Sequence, residues 1–483
     1  MNKIKPIAYI ALVLTLSAGF MACSQALGPE EGSITLQLPG SAGGRAFTEA
    51  EKNSFTYRVT FTGPGNRVVN ISASAGKTVT AGALAAGRWT VEVRALNDDN
   101  VPVAYGSDTV TVASGNSRAV VTMGEVIFNM SQLLTAIAGA EDGDTLVIGD
   151  DIEITVPVEI LKHISLSSTG NHSLYRGSSN QKEFFTVNGK SLTLSAEGRN
   201  SLTLDGKNQT ADSPLIVVNT GAALILSTGA VLQNNVINTS GGLPGGAVYS
   251  KDGDVTVSGG VIRYNKDVVT GSGGGMYLVR SNFTMTGGAV YSNTAVAGGG
   301  AGNGGGISID NLGLSGLDAA RTVTISGGSV YGNTAGTDGG GIYIFNSYRA
   351  VDTVVFSGGS VYGNIAKTGS GGGINSVNSA DFTMTGGAVY QNKGKTGAGV
   401  SFSVGSLAMT GGHICGNILI GGGTQGGGLY IDTSTISGLG AKNAEIKGNS
   451  PPNVHKDVSV SGSLAGIAVG GEGGENDICS MGY

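Results

Sequence analysis

Gly287-Gly288-Ala289-Val290-Tyr291-Ser292-Asn293 is one copy of a phrase, Gly-Gly-x-Val-Tyr-x-Asn, that recurs at 327–333, 358–364 and 386–392. Looser copies stand at 259–265, with Ile262-Arg263-Tyr264, and at 411–417, with His413-Ile414-Cys415; vestigial ones end at Asn234 and Asn449. A second phrase alternates with the first: Gly245-Gly246-Ala247, then Gly triplets at 273–275, 304–306, 339–341, 371–373 and 426–428, with Gly397-Ala398-Gly399 as a variant. The terminal Asn residues 265, 293, 333, 364, 392, 417 and 449 are 28, 40, 31, 28, 25 and 32 residues apart. Unequal steps around a constant phrase suit stacked coils with a fixed core and variable loops.

Each unit reads as three short strands, of the kind Phe283–Thr286, Ala289–Tyr291 and Gly341–Ile344, because apolar residues alternate with period two. Val255, Phe283, Val323, Val354, Phe382 and Leu407 form one column, and Val257, Met285, Ile325, Phe356, Met384 and Met409 another. The residues between them, Thr256, Thr284, Thr324, Val355, Thr383 and Ala408, must then face outward. Gly-Gly pairs suit corners where φ is positive and a neighbouring coil leaves no room for Cβ. Asn265, Asn293, Asn333, Asn364, Asn392 and Asn417 read as structural turn residues: Asn tolerates the left-handed conformation, and its amide can bond the Asn of the next coil, about 4.8 Å away. No unit buries its apolar columns alone, whereas stacking buries them continuously. The expectation is all-β: a right-handed parallel β-helix, its hand taken from the crossover rule.

Val-Tyr-x-Asn followed by Gly-Gly-Gly-Ile resembles the Phe-x-x-Asn and Gly-Gly-Ala-Ile motifs of the polymorphic outer membrane protein repeats, over roughly 229–449. Val290, Val330, Val361, Val389, Ile262 and Ile414 stand where that pattern has an aromatic. The resemblance implies a surface-exposed, adhesin-like β-helix. Those relatives usually end in a translocating barrel, and none is readable after Asn449.

Residues 1–22 read as a signal peptide, with Lys3 and Lys5 before the apolar run Ile7–Phe20. Phe20-Met21-Ala22-Cys23 resembles a bacterial lipoprotein cleavage site, which implies lipid on Cys23 and a membrane as partner. Residues 23–31 are a polar tether. Residues 32–124 alternate differently, at Ser33–Leu38, Phe55–Phe61, Arg67–Ile71, Trp89–Val93 and Thr109–Val112, and predict a small immunoglobulin-like β-sandwich serving as a spacer, with Trp89 as core anchor. Within 125–483, Met130–Glu141 predicts a helix capping the open end of the β-helix, with Ser131 as N-cap and Leu133, Leu134 and Ile137 on one face. Residues 150–228 read as early coils, with strands at Ile152–Val156, Ser191–Ser195, Ser201–Leu204 and Ala223–Leu226.

A net charge of −6 and 13% charged residues give no basic footprint for nucleic acid. Strict periodicity argues against disorder despite 85 Gly. Beyond Cys23 only Cys415 and Cys479 remain, free to pair in an oxidising compartment. β-Helix lyases and glycosidases need converging carboxylates. Here Asp252, Asp254, Asp310, Asp318, Asp338, Asp352, Asp381 and Asp432 are scattered, with Asp252 and Asp254 the nearest pair, and His163, His172, His413 and His455 form no cluster. No catalytic residue, metal or cofactor is expected, with the long loops, notably Asn311–Arg321, left as places for a site.

Two outward columns stand out. After each Val come Arg263, Tyr291, Tyr331, Tyr362, Tyr390 and Cys415; after each Gly triplet come Tyr249, Tyr277, Ser308, Tyr343, Asn375, Ser401 and Tyr430. Tyr291, Tyr331, Tyr362 and Tyr390 are the candidate ligand strip, since Tyr offers large contact area at low entropic cost; stacking that merely stabilises successive strands explains the same column. The expected role is a lipid-anchored envelope protein, surface-exposed at the outer membrane, acting in adhesion toward a host protein or glycan. A carbohydrate-active enzyme and a purely structural coat protein are the alternatives.

Overall fold

Alternating apolar columns can be buried only if successive coils pair in parallel and in register, and that is how the chain is arranged. The structure is a computed structural model. It describes residues 31–38, 54–296, 302–311, 321–346 and 352–432, apart from 99, 101, 114, 122–123, 240, 270 and 424–425, and beyond these only 435–436, 444–447, 449, 458–459 and 468–469. The signal segment, Cys23, Cys479, His455 and most of the loop 311–321 lie outside the described residues. The chain divides into two units, Met1–Met123 and Gly124–Tyr483.

In the first unit, β1 (Glu31–Gln37) pairs antiparallel with β4 (Thr78–Ala85) and parallel with β7 (Gly115–Ala119). The facing sheet runs β3-β2-β5-β6 and is antiparallel throughout: β2 is Thr56–Gly63, β3 Arg67–Ser74, β5 Gly87–Leu96 and β6 Pro102–Val112. Seven strands in two layers make the expected sandwich. Its strands are shared out differently from the immunoglobulin pattern, which groups the first, second, fifth and fourth in one sheet. Trp89 is fully buried in the core between the sheets, and its Nε1–H donates to the Ala85 carbonyl at 2.9 Å.

The second unit is a parallel β-solenoid of about 9 turns. A full coil has four walls where the sequence suggested three. The first is typified by Asn282–Met285, the second by Ala289–Tyr291, the third by the two-residue strand Thr294–Ala295, and the fourth by Ile307–Asn311. Each strand pairs in parallel with its counterpart one coil on, as Phe283 with Val323 and Val354, and Tyr291 with Tyr331 and Tyr362. The third wall is a separate ladder running from Thr210–Ala211 to Ile418–Leu419. The two apolar first-wall columns face inward and are buried, and the Thr column between them is partly exposed. Early coils begin where expected: Ile152–Ile154, Ser191–Leu194, Ser201–Asp205 and Ala223–Leu226 are strands.

Helix α1 (Met130–Gly139) joins the solenoid core through Leu133, Ala136 and Ile137. Two expectations shift by a residue or more. The N-cap is Asn129, whose side chain accepts from the Gln132 N–H at 3.0 Å, in place of Ser131. Leu134 is exposed, and Ala136 takes the buried place assigned to it, as a 3.6-residue period requires.

Candidate functional site

The repeated Asn residues form one buried column. The Oδ1 of Asn333 accepts both the backbone N–H and the Nδ2–H of Asn293, at 2.9 and 3.0 Å. Its own Nδ2 donates to the Val290 carbonyl, at 2.9 Å, and to Asn364 Oδ1, at 3.0 Å. The same bonds repeat at Asn265, Asn364, Asn392 and Asn417, so every amide oxygen points toward the preceding coil. The left-handed residue is the one before each Asn: Tyr264, Ser292, Gly332, Gly363, Gln391 and Gly416 all have φ between 53° and 62°. This corrects the conformational half of the turn reading, while the other half, an amide bonded to the Asn of the next coil, is found at each of these rungs. It also moves the vestigial copy by one, for Asn235 holds the ladder place and Asn234 the left-handed one. The Gly triplets belong to the same contact. A Cβ on Gly306 would lie 2.8 Å from the Gly341 carbonyl and 3.0 Å from Asn333 Nδ2, so the two phrases are halves of one packed corner.

In the preceding coil the register carried on from Asp205 puts Lys207, and no Asn, in the ladder place, and Arg176 closes the ladder instead. It is buried, and its Nη2 donates to Asn235 Oδ1 at 2.7 Å. Its Nη1 donates to the carbonyls of Asn180 and Lys182, at 2.9 and 2.5 Å. Burial lowers its pKa to about 10, so it stays charged at neutral pH.

On the second wall the tyrosine column is in register with Asp205, Gln233 and Arg263 before it and Cys415 after it. The rings of Tyr291, Tyr331, Tyr362 and Tyr390 stack with centroids 4.7, 4.9 and 4.9 Å apart and planes within 9°. That spacing is the interstrand distance itself. At the head of the column Arg263 Nη1 donates to the Tyr291 hydroxyl at 2.9 Å, Arg263 Nε donates to Gln233, and Gln233 donates to Asp205. Tyr264, half exposed, meets Tyr291 edge-on at 5.6 Å. Burial raises the hydroxyl pKa of Tyr331 and Tyr362. Within the stack each ring covers its neighbour's face, so what the column presents outward is edges and phenolic tips. Cys415 is buried and disulfide-bonded, and the other two cysteines lie outside the described residues.

The fourth-wall column differs from the sequence reading. Ser308, Asn375 and Ser401 are buried, so this face does not lie open. Ser308 sits between Tyr277 and Tyr343. The Tyr277 hydroxyl donates to Asp310 Oδ2 at 2.8 Å, while Asp310 Oδ1 is buried with no hydrogen-bond partner. Burial pushes the Asp310 carboxyl up, opposed by that hydrogen bond. Burial, then the Asp310 charge, holds the Tyr277 phenol well above its usual range. Burial also raises Asp338, against a hydrogen bond from the Ser370 N–H, and raises Tyr343, which both carboxylates push further. Sequence reasoning missed this group because it exists only across coils of unequal length.

Asp252 and Asp254, the nearest pair in the sequence, are each committed to a neighbour. Arg280 donates to both Asp252 oxygens at 2.7 and 2.6 Å, which lowers the Asp252 pKa. Asn282 donates to Asp254 at 2.8 Å. Among the described residues no three His, Cys, Asp or Glu gather as a metal site would require. No helix of the described residues is long and apolar enough to cross a membrane. The chain matches no known protein family, no curated protein and no solved structure.

Proposed function

We propose that this chain is a lipid-anchored bacterial envelope protein, surface-exposed at the outer membrane, whose β-helix acts in adhesion or ligand interaction, with Tyr291, Tyr331, Tyr362 and Tyr390 as the contact strip. One observation carries the reading: four partly exposed Tyr side chains repeat in register over four successive coils with no catalytic group among them. Because the ring faces are spent on one another, the strip favours a partner that meets edges and hydroxyls, as a protein surface or the hydroxyls of a glycan would, over a sugar stacked on a ring. The likeness to polymorphic outer membrane protein repeats, and lipid on Cys23, belong to this proposal. The test combines brief protease treatment of intact cells with binding by the Tyr331→Ser/Tyr362→Ser variant. Shaving of the β-helix with loss of attachment supports the reading; protection of the β-helix, or undiminished binding by a folded variant, overturns it.

The second reading is a carbohydrate-active enzyme. It is favoured by the raised carboxyl pKa of Asp310 and Asp338 around Tyr343, since a general acid needs its proton held above the ordinary range. Release of reducing or unsaturated ends from a polysaccharide, abolished by Asp310→Asn, distinguishes it.

A further inference from the structure

We infer that the tyrosine ladder is a site of oxidative covalent cross-linking, in which phenols on adjacent coils couple to dityrosine and staple the solenoid along its axis. Phenol coupling needs two rings held together while both are radicals, and pre-assembly replaces a diffusional encounter by contact. The ladder supplies that contact three times over, with centroids 4.7–4.9 Å apart and planes within 9°. No such geometry links Tyr249 and Tyr277, whose centroids are 6.1 Å apart with planes at 30°. Tyr264, 50% exposed and edge-on to Tyr291, adds a solvent-facing phenol at the head of the stack, whose own phenolic tips are also partly exposed.

The step balances with hydrogen peroxide as oxidant and a haem peroxidase as catalyst. Each phenol gives up one electron and its hydroxyl proton to become a phenoxyl radical. The two radicals join through carbons ortho to oxygen, and the ring hydrogens on those carbons shift to the oxygens as aromaticity returns. Two tyrosines thus lose two hydrogen atoms, and one peroxide becomes two waters. The bond joins residues 40, 31 or 28 apart in sequence. Links of that span remove chain entropy from the unfolded state, so a cross-linked solenoid unfolds at higher denaturant concentration.

This inference does not rest on the adhesion reading, for it requires no ligand. The experiment treats the purified full-length protein with peroxidase and hydrogen peroxide, then maps joined peptides by mass spectrometry. The expected products are intramolecular links 291–331, 331–362 and 362–390, exceeding any 249–277 link, with a raised urea midpoint for the linked monomer. Tyr331→Phe, which keeps the ring in the stack, removes the first two links and spares the third. Links spread evenly over all tyrosines, only intermolecular products, or no dityrosine under conditions that couple free tyrosine would each overturn the proposal.

Discussion

Truncating one rung of the asparagine ladder tests the central claim about what holds the coils together. Asn333→Ala keeps Cβ and the backbone but deletes an amide that makes four hydrogen bonds, all buried. Asn364 Oδ1 still accepts the residue's own N–H at 3.0 Å. Asn293 fares worse: its backbone N–H and one Nδ2–H both lose their acceptor inside the corner packed by Gly306. At about 1–3 kcal/mol for each buried donor left unpaired, the expected loss is about 2–6 kcal/mol. Thr324→Ala, on the partly exposed column of the same coil, is expected to cost under about 1 kcal/mol. Urea unfolding followed by far-UV circular dichroism reports mainly the solenoid, while the fluorescence of Trp89, the only Trp, reports the sandwich. Solenoids depart from two-state behaviour, so hydrogen exchange of the amides at Asn265, Asn293 and Asn364 supplies the local measure. A loss for Asn333→Ala no larger than for Thr324→Ala, with those amides still protected, would refute the reasoning.

Three further outcomes follow from the same geometry. Ser376 points into the core between Ile344 and Phe402 in neighbouring coils, and its hydroxyl is unpartnered; Ser376→Val is expected to stabilise the solenoid by about 1–2 kcal/mol, read as a raised urea midpoint with the Trp89 fluorescence transition unchanged. Folding raises the Asp310 pKa, so the folded state retains a proton the unfolded chain has released, and stability falls as pH rises from the ordinary aspartate range through the folded value. Asp310→Asn is therefore expected to be more stable than the parent at pH 7, by a margin that shrinks as pH drops toward 4 in parallel melts; lower stability at pH 7 would contradict it. Arg176→Met removes three hydrogen bonds at about 1 kcal/mol each, so a loss of about 3 kcal/mol is expected, seen as faster exchange near Asn235 and, because Arg176 stays charged, constant between pH 5 and 8.

The wide walls were legible in the sequence because period-two alternation and burial are the same fact seen twice: Phe283 and Met285 are buried wherever the strand goes. The third wall was not, since a strand of two residues such as Thr294–Ala295 is too short to show a period. Strand β4 was missed because Gly and Ala in Thr78–Ala85 dilute its alternation. The Tyr ladder followed directly from the repeat, because equal positions in successive coils must stack. The group around Asp310 did not, because it pairs unequal positions from coils whose loops differ in length. Polarity misled at Ser308 and Asn375, where small polar residues between larger neighbours are buried on a face that alternation assigns to solvent.

The one-way orientation of the asparagine amides gives the solenoid a start and a growing end. At the last completed rung, the Asn offers two donors and lacks only an acceptor. The next coil brings that acceptor as Oδ1 of its own Asn. Arg176 meets the opposite need, supplying a donor to an oxygen that has no earlier Asn behind it. A chain delivered with its N-terminus first presents its coils in this order, so the donors of each rung are in place before the oxygen that they bond.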